Sequence, residues 1–167
     1  VKRIADVVEV FAEAARSSRS HLVMVGDGPE RSFAERRVHE LGLADRAAFL
    51  GKQDRFEELL AAADVFLLPS EKESFGLAAL EAMSCGVPVV ASCVGGIPEV
   101  VEHDVTGLLA PVGDVRALAD NVLQLVNDRA RWLRFSANAR ERVLERFQKE
   151  PAVDRYEAVY RRVLGRS

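Results

Sequence analysis

The sequence predicts an α/β fold, a Rossmann-like parallel sheet with flanking helices, finished by a helical C-terminal tail. Three observations predict it. Short apolar runs alternate with helix-period segments as far as residue 126, an order that favours parallel strands joined by right-handed crossovers. The runs HLVMVG, AAFLG, DVFLLPS and VPVVAS are continuously apolar rather than alternating, as strands are when both faces of a sheet are covered. Residues 129–167 hold no such run and are rich in Arg and Glu, so they read as helical throughout.

In order, residues 3–16 carry apolar positions at helical spacing, and 21–26 form the first strand. GPERSFAERRVHELGL, residues 28–43, is helical and polar on one side. Strand 47–51, helix 55–63 and strand 64–70 follow. The spacing then predicts a helix over 76–84, a strand over 87–92, a helix near 98–102, a short strand at 107–110 and a helix over 115–126. The tail, packing on this domain, ends in FQKEPAVDRYEAVYRRVL, with Tyr156, Val159, Tyr160 and Val163 on one helical face. That face either packs on its own domain or stays partly exposed, and exposure would favour a homodimer. Domains of this pattern normally open on a strand, whereas this chain opens on a helix. The expectation is one domain over 1–167 that lacks its first strand.

Composition narrows the function classes. A length of 167 residues suits one domain with a real core. Hydrophobic residues make up 49% and charged residues 29%, with a net charge of −3 and both signs scattered. That balance excludes a basic nucleic-acid surface and a polybasic membrane patch. The apolar runs are strand-length, so neither a transmembrane helix nor a signal peptide is expected. Cys85 and Cys93 have no disulfide or metal spacing and read as small buried residues of a reduced, cytoplasmic protein. His21, His39 and His103 have no ligand spacing either, so no metal is expected.

Open α/β sheets bind ligands at the carboxyl ends of their strands, and four such ends carry unusual residues. GDGPE, Gly26 to Glu30, suggests a dinucleotide fingerprint through Gly26 and Gly28, but the third glycine would fall at position 31, where Arg31 stands. The same residues suit a tight turn into a helix. GKQD offers backbone at Gly51 and Gln53 for a base and Lys52 for a phosphate; a solvated loop is the alternative. In SCVGGIPEV, Gly95 and Gly96 precede Pro98. They permit close backbone approach and free amides at a helix start, or simply a flexible turn.

The richest end is ESFGLAALE, residues 73–81. A helix beginning near Ser74 or Phe75 would leave the amides of Phe75, Gly76 and Leu77 among its free donors. The dipole there favours anionic or hydroxyl-rich groups. Gly76 removes a side chain that would hold a ligand away, while Leu77, Leu80 and Met83 can pack into the core. Continuous helix would set Glu81 about 12 Å from Glu73, roughly the span from a sugar ring across a diphosphate to a ribose. A capped amphipathic helix with two acidic residues is the plainer explanation, and it accounts least well for Glu81.

Together ESFGLAALEAMSCGVPVVAS, the GG-P-E loop, GDGPE, FLG and ADVFLLPS resemble the retaining GT-B-fold glycosyltransferases of family 4, over essentially the whole chain. The resemblance implies the C-terminal, donor-binding lobe. It implies that Glu81 binds ribose hydroxyls and that Glu73 contacts the transferred sugar, with Ser74 and the amides of Phe75, Gly76 and Leu77 beside it. Lys2 would hold the diphosphate, its usual arginine partner falling before Val1. The loops at Gly26, Gly28 and Gly51 to Gln53 would face the nucleotide. The implied partners are a UDP-sugar donor and a small-molecule acceptor, without a cofactor or metal. Rival readings are a non-catalytic nucleotide-sugar-binding module, a GT-B-fold epimerase and a nicotinamide-dependent oxidoreductase. Arg31, and Gly51 and Lys52 where an acidic residue would be needed, count against the last.

Overall fold

The computed structural model describes residues 2–165, apart from the side chains at 149–152, 154 and 155. Its architecture is the α/β arrangement expected, with the strands in two parallel sheets. β1 (Leu22–Val25) pairs with β2 (Ala47–Gly51), and β4 (Val89–Ser92) lies between β3 (Phe66–Leu68) and β5 (Gly107–Ala110). Among the described residues no ladder joins the two sheets. α1 (Ile4–Ala15) spans them instead. Its Val8 packs with Ala34, Val38, Met24 and Phe49 over β1 and β2, whereas Val10 packs with Val90, Leu108 and Leu118 over the other sheet. Two residues apart on a helix is about 200° of rotation, so opposite sides of α1 serve the two sheets.

Coverage differs between the sheets. All four residues of β4 are buried, the pattern expected of a strand covered on both faces. In β1 and β2 burial alternates, and Val23, Val25 and Leu50 are exposed. There α1 and α2 (Arg31–Glu40) cover one face only. The expectation of two covered faces therefore holds for β4 and fails for β1 and β2.

Helices start later than the spacing predicts where glycine sets the backbone. Residues 26–30 form a turn, with Gly26 at φ 112°, before α2 begins at Arg31. After α3 (Phe56–Ala61), α4 runs from Leu77 to Ser84, with Gly76 at φ 95° as its N-cap. α5 is a single turn, Ile97–Val100, and α6 spans Val115–Val126 as expected. A 3₁₀ turn at Ala44–Arg46, not foreseen, precedes β2.

The tail is two helices. α7 (Arg129–Arg146) buries Phe135 and Ala139 and packs on α4. α8 (Lys149–Val163) follows, and its Tyr156, Val159, Tyr160 and Val163 are exposed. No helix among the described residues is long and apolar enough to cross a membrane. Cys93 is exposed and Cys85 half-buried, both free, because each lies at an element end rather than inside one. They are not the buried pair expected.

α7 starts at a side-chain cap: the Arg131 amide donates to Asp128 Oδ1 at 2.9 Å. Asp128→Ala is expected to cost about 1 kcal/mol. Urea unfolding would register a lower midpoint with an unchanged slope.

Candidate functional site

The carboxyl ends of the strands gather most of the candidate residues into two groups. The first surrounds Glu73. Lys2, two residues ahead of α1, donates from Nζ to Glu73 Oε2 at 2.8 Å, with Lys2 exposed and Glu73 mostly covered. The Glu73 carbonyl accepts from the Gly96 amide at 3.1 Å. A Cβ on Gly95 would stand 1.8 Å from the Glu73 carbonyl oxygen, and one on Gly96 would stand 2.5 Å from that of Ser74. The paired glycines are therefore a close-approach device: two backbones meet where no side chain fits. That also removes the Gly96 amide from the free donors, since Glu73 uses it.

The helix start differs from expectation in one respect. α4 begins at Leu77, and Leu80 makes its first bond, back to the Gly76 carbonyl at 3.0 Å. The free first-turn amides are thus those of Gly76, Leu77, Ala78 and Ala79, and Phe75 lies ahead of them. The reason is the left-handed backbone at Gly76, which a residue with a Cβ rarely adopts. Leu77 is 63% exposed beside this start rather than in the core, while Met83 is buried and Leu80 packs against the core. Three residues, Ser74 to Gly76, separate Glu73 from the helix, so helical rise does not set its distance to Glu81. Glu81 is exposed on α4 and makes no ion pair among the described residues.

The second group lies at the ends of β1 and β2. The Gly26 amide donates to the Gly51 carbonyl at 2.7 Å, beside a register shift at Met24 and Val25. Gln53 Nε2 donates to the Leu50 carbonyl at 2.7 Å, folding the loop over, and Lys52 is exposed. The Gly28 amide is held by Asp27 Oδ1 at 2.9 Å. Arg31, standing where a dinucleotide fingerprint needs glycine, donates from Nη2 to the Phe49 carbonyl at 3.1 Å. Its hydrogen bond to Glu35 holds its pKa above the ordinary arginine value, so it stays charged. The structure brings Gly26, Gly51 and Gln53 together and fills the dinucleotide position with a guanidinium.

Several contributors were not legible in sequence. Arg142 of α7 donates to the carbonyls of Val100 at 2.8 Å and Glu99 at 2.9 Å and to Glu102 Oε2 at 2.6 Å. It thereby fixes the far end of α5, whose near end carries Gly96. Phe147, after α7, meets Phe75 edge to face at 6.0 Å between ring centroids. Arg3 adopts a left-handed backbone at φ 49° between Lys2 and α1. Its guanidinium is held by Asp6, at 2.6 Å from Nε and 3.1 Å from Nη2. Arginines are common in this chain, and nothing in their spacing marks these two.

Such a site can take an elongated ligand: cation and carboxylate at one end, free amides beside a glycine, and a second carboxylate along α4. Residues 1–142 match the family described as glycosyl transferases group 1. The N-acetyl-alpha-D-glucosaminyl L-malate synthase of Bacillus anthracis is 49% identical over 98% of this chain and 43% of its own. The 2-deoxystreptamine glucosyltransferase of Streptomyces kanamyceticus is 38% identical over 95% of this chain and 42% of its own. The chain thus spans less than half the length of these relatives. Sucrose-phosphate synthase from Thermosynechococcus elongatus superposes with a TM-score of 0.90 at 36% identity, covering 98% of this chain and 43% of that one. HepE from Anabaena, in complex with UDP and glucose, gives 0.81 at 29% identity over 91% of this chain and 44% of that one. With its family match running through β5 and α6 into α7, and its fold shared with solved glycosyltransferases, this chain belongs to the glycosyl transferases group 1.

Proposed function

We propose that this chain is the nucleotide-sugar-binding lobe of a retaining glycosyltransferase that moves GlcNAc from UDP-GlcNAc to L-malate. The observation that carries the donor reading is the joining of Lys2, Glu73 and the Gly95–Gly96 loop at the start of α4. Support for GlcNAc and malate comes from the 49% identity to the malate synthase and from the resemblance of FLGKQD, LLPSEKESFGLAALEAM and VGGIPEVVEH to that enzyme. A polysaccharide or lipid-linked acceptor, or a non-catalytic UDP-sugar-binding role, is the alternative.

In this reading Glu81 takes the ribose hydroxyls, and Gly26, Gly28, Gly51, Lys52 and Gln53 flank the base. Lys2 takes the diphosphate together with the amides at Gly76 and Leu77. Cation and helix end then stabilise the charge that grows on departing UDP. Glu73 orients the sugar through its hydroxyls, with Ser74 and Phe75 beside it. Attack by the acceptor hydroxyl on the face that UDP leaves retains configuration, the leaving phosphate taking the proton. No cofactor or metal is assigned a role. Closure of two lobes would exclude water and align the acceptor.

Calorimetric titration of this chain with UDP-GlcNAc, UDP-glucose, UDP, GDP and NAD tests the reading. The expected result is selective binding of uridine nucleotides with UDP-GlcNAc preferred. Preference for GDP or NAD would overturn the donor assignment. Equal binding of UDP-glucose and UDP-GlcNAc would leave the malate assignment without its donor.

A further inference from the structure

We propose that Phe147, in the helical tail, is a positioning residue for the sugar-contacting segment, acting through Phe75 on the backbone that carries Glu73. This rests on the donor reading above and names a residue of that site outside its sequence signature. Segment 73–75 is irregular: it precedes the N-cap of α4 and has no helical bond of its own. Its order therefore comes from what touches it. On the backbone side, Gly95 and Gly96 press against the carbonyls of Glu73 and Ser74. Lys2 holds the Glu73 carboxylate. On the side-chain side, the Phe75 ring meets Phe147 edge to face, with an interplanar angle of 73°.

Phe147 is well placed to fix that ring. It is the residue at which α7 ends, at φ −121° and ψ 23°, with its amide still bonded to the Val143 carbonyl. Its ring packs against the cluster that includes Met83, Ala79 and Ile97. Phe75 is 38% exposed, and an edge-to-face pair fixes orientation as well as depth. α8 begins two residues later. The loop proposed to hold the sugar is thereby joined to the point where α7 gives way to α8.

Titrations of this chain with UDP-GlcNAc and, separately, with UDP test the proposal. Phe147→Leu keeps most of the volume in the cluster and removes the ring. It is expected to weaken UDP-GlcNAc by about two- to twelvefold, the worth of an aromatic pair, and to leave UDP within twofold. Phe147→Tyr should restore the wild-type ratio, and in a Phe75→Leu background Phe147→Leu should have no further effect. A purely structural role would lower the melting temperature and weaken both ligands together, leaving the ratio unchanged; that result overturns the proposal. So does an effect that persists in the Phe75→Leu background. The wild-type titration separates the two readings. If wild type binds neither ligand, the donor reading fails; if it binds both and the variants keep its ratio, only the role of Phe147 fails.

Discussion

Gly95→Ala is expected to lower stability by about 3 kcal/mol or more and to abolish binding of the sugar half of a donor. Two costs combine. Gly95 sits at φ 54°, and a left-handed backbone costs a residue with a Cβ roughly 1–2 kcal/mol. The added Cβ would also stand 1.8 Å from the Glu73 carbonyl oxygen and 3.0 Å from its carbon. That neighbour is backbone and cannot rotate away, so the loop at 73–75 or the loop at 93–96 must shift. A loss of 3 kcal/mol corresponds to about 6–12 °C in melting temperature for a domain of this size. Gly42→Ala supplies the control, because Gly42 has φ 69° with nothing within 4 Å of the added atom. It should show the conformational cost alone. Equal losses at the two positions would mean that the two loops do not meet as described.

The same contact shows where the sequence was informative and where it stopped. Alternation of apolar runs with helix-period segments located every strand and nearly every helix, since burial and periodicity act along the chain. What depends on a third dimension was invisible. The apolar run of β1 looks like that of β4, yet Val23 and Val25 face outward, because coverage depends on which helices pack where. The paired glycines read equally as a flexible turn or as a close approach, and only the position of Glu73 decides. The helix starts later than the spacing predicts because Gly76 can continue a helix or cap one, and its φ of 95° makes it the cap. Arg142 and Phe147 belong to a tail whose pattern says helix and nothing about a site. The signature glutamates were legible as a pair, but the ion pair between Lys2 and Glu73 joins residues 71 positions apart.

Glu81→Ala is expected to weaken UDP and UDP-GlcNAc alike by tenfold or more while leaving the fold intact. Loss of a carboxylate that accepts hydrogen bonds from a ligand costs roughly 1.5–3 kcal/mol, which is about one to two powers of ten in affinity. The fold should not notice. Glu81 is exposed on α4, has no ion pair among the described residues, and sits beside Ala82 and Met83, which are fully buried and anchor the helix. Alanine also favours helix slightly more than glutamate does, so the melting temperature should hold or rise. Glu73 offers no comparable test, because removing its charge also releases Lys2 from their 2.8 Å pair and changes the cation offered to the diphosphate. A carboxylate with no ion pair among the described residues, on a well-anchored helix, separates binding from stability. If calorimetry finds UDP within twofold of wild type after Glu81→Ala, the ribose is held elsewhere and this carboxylate is merely part of a solvated helix face.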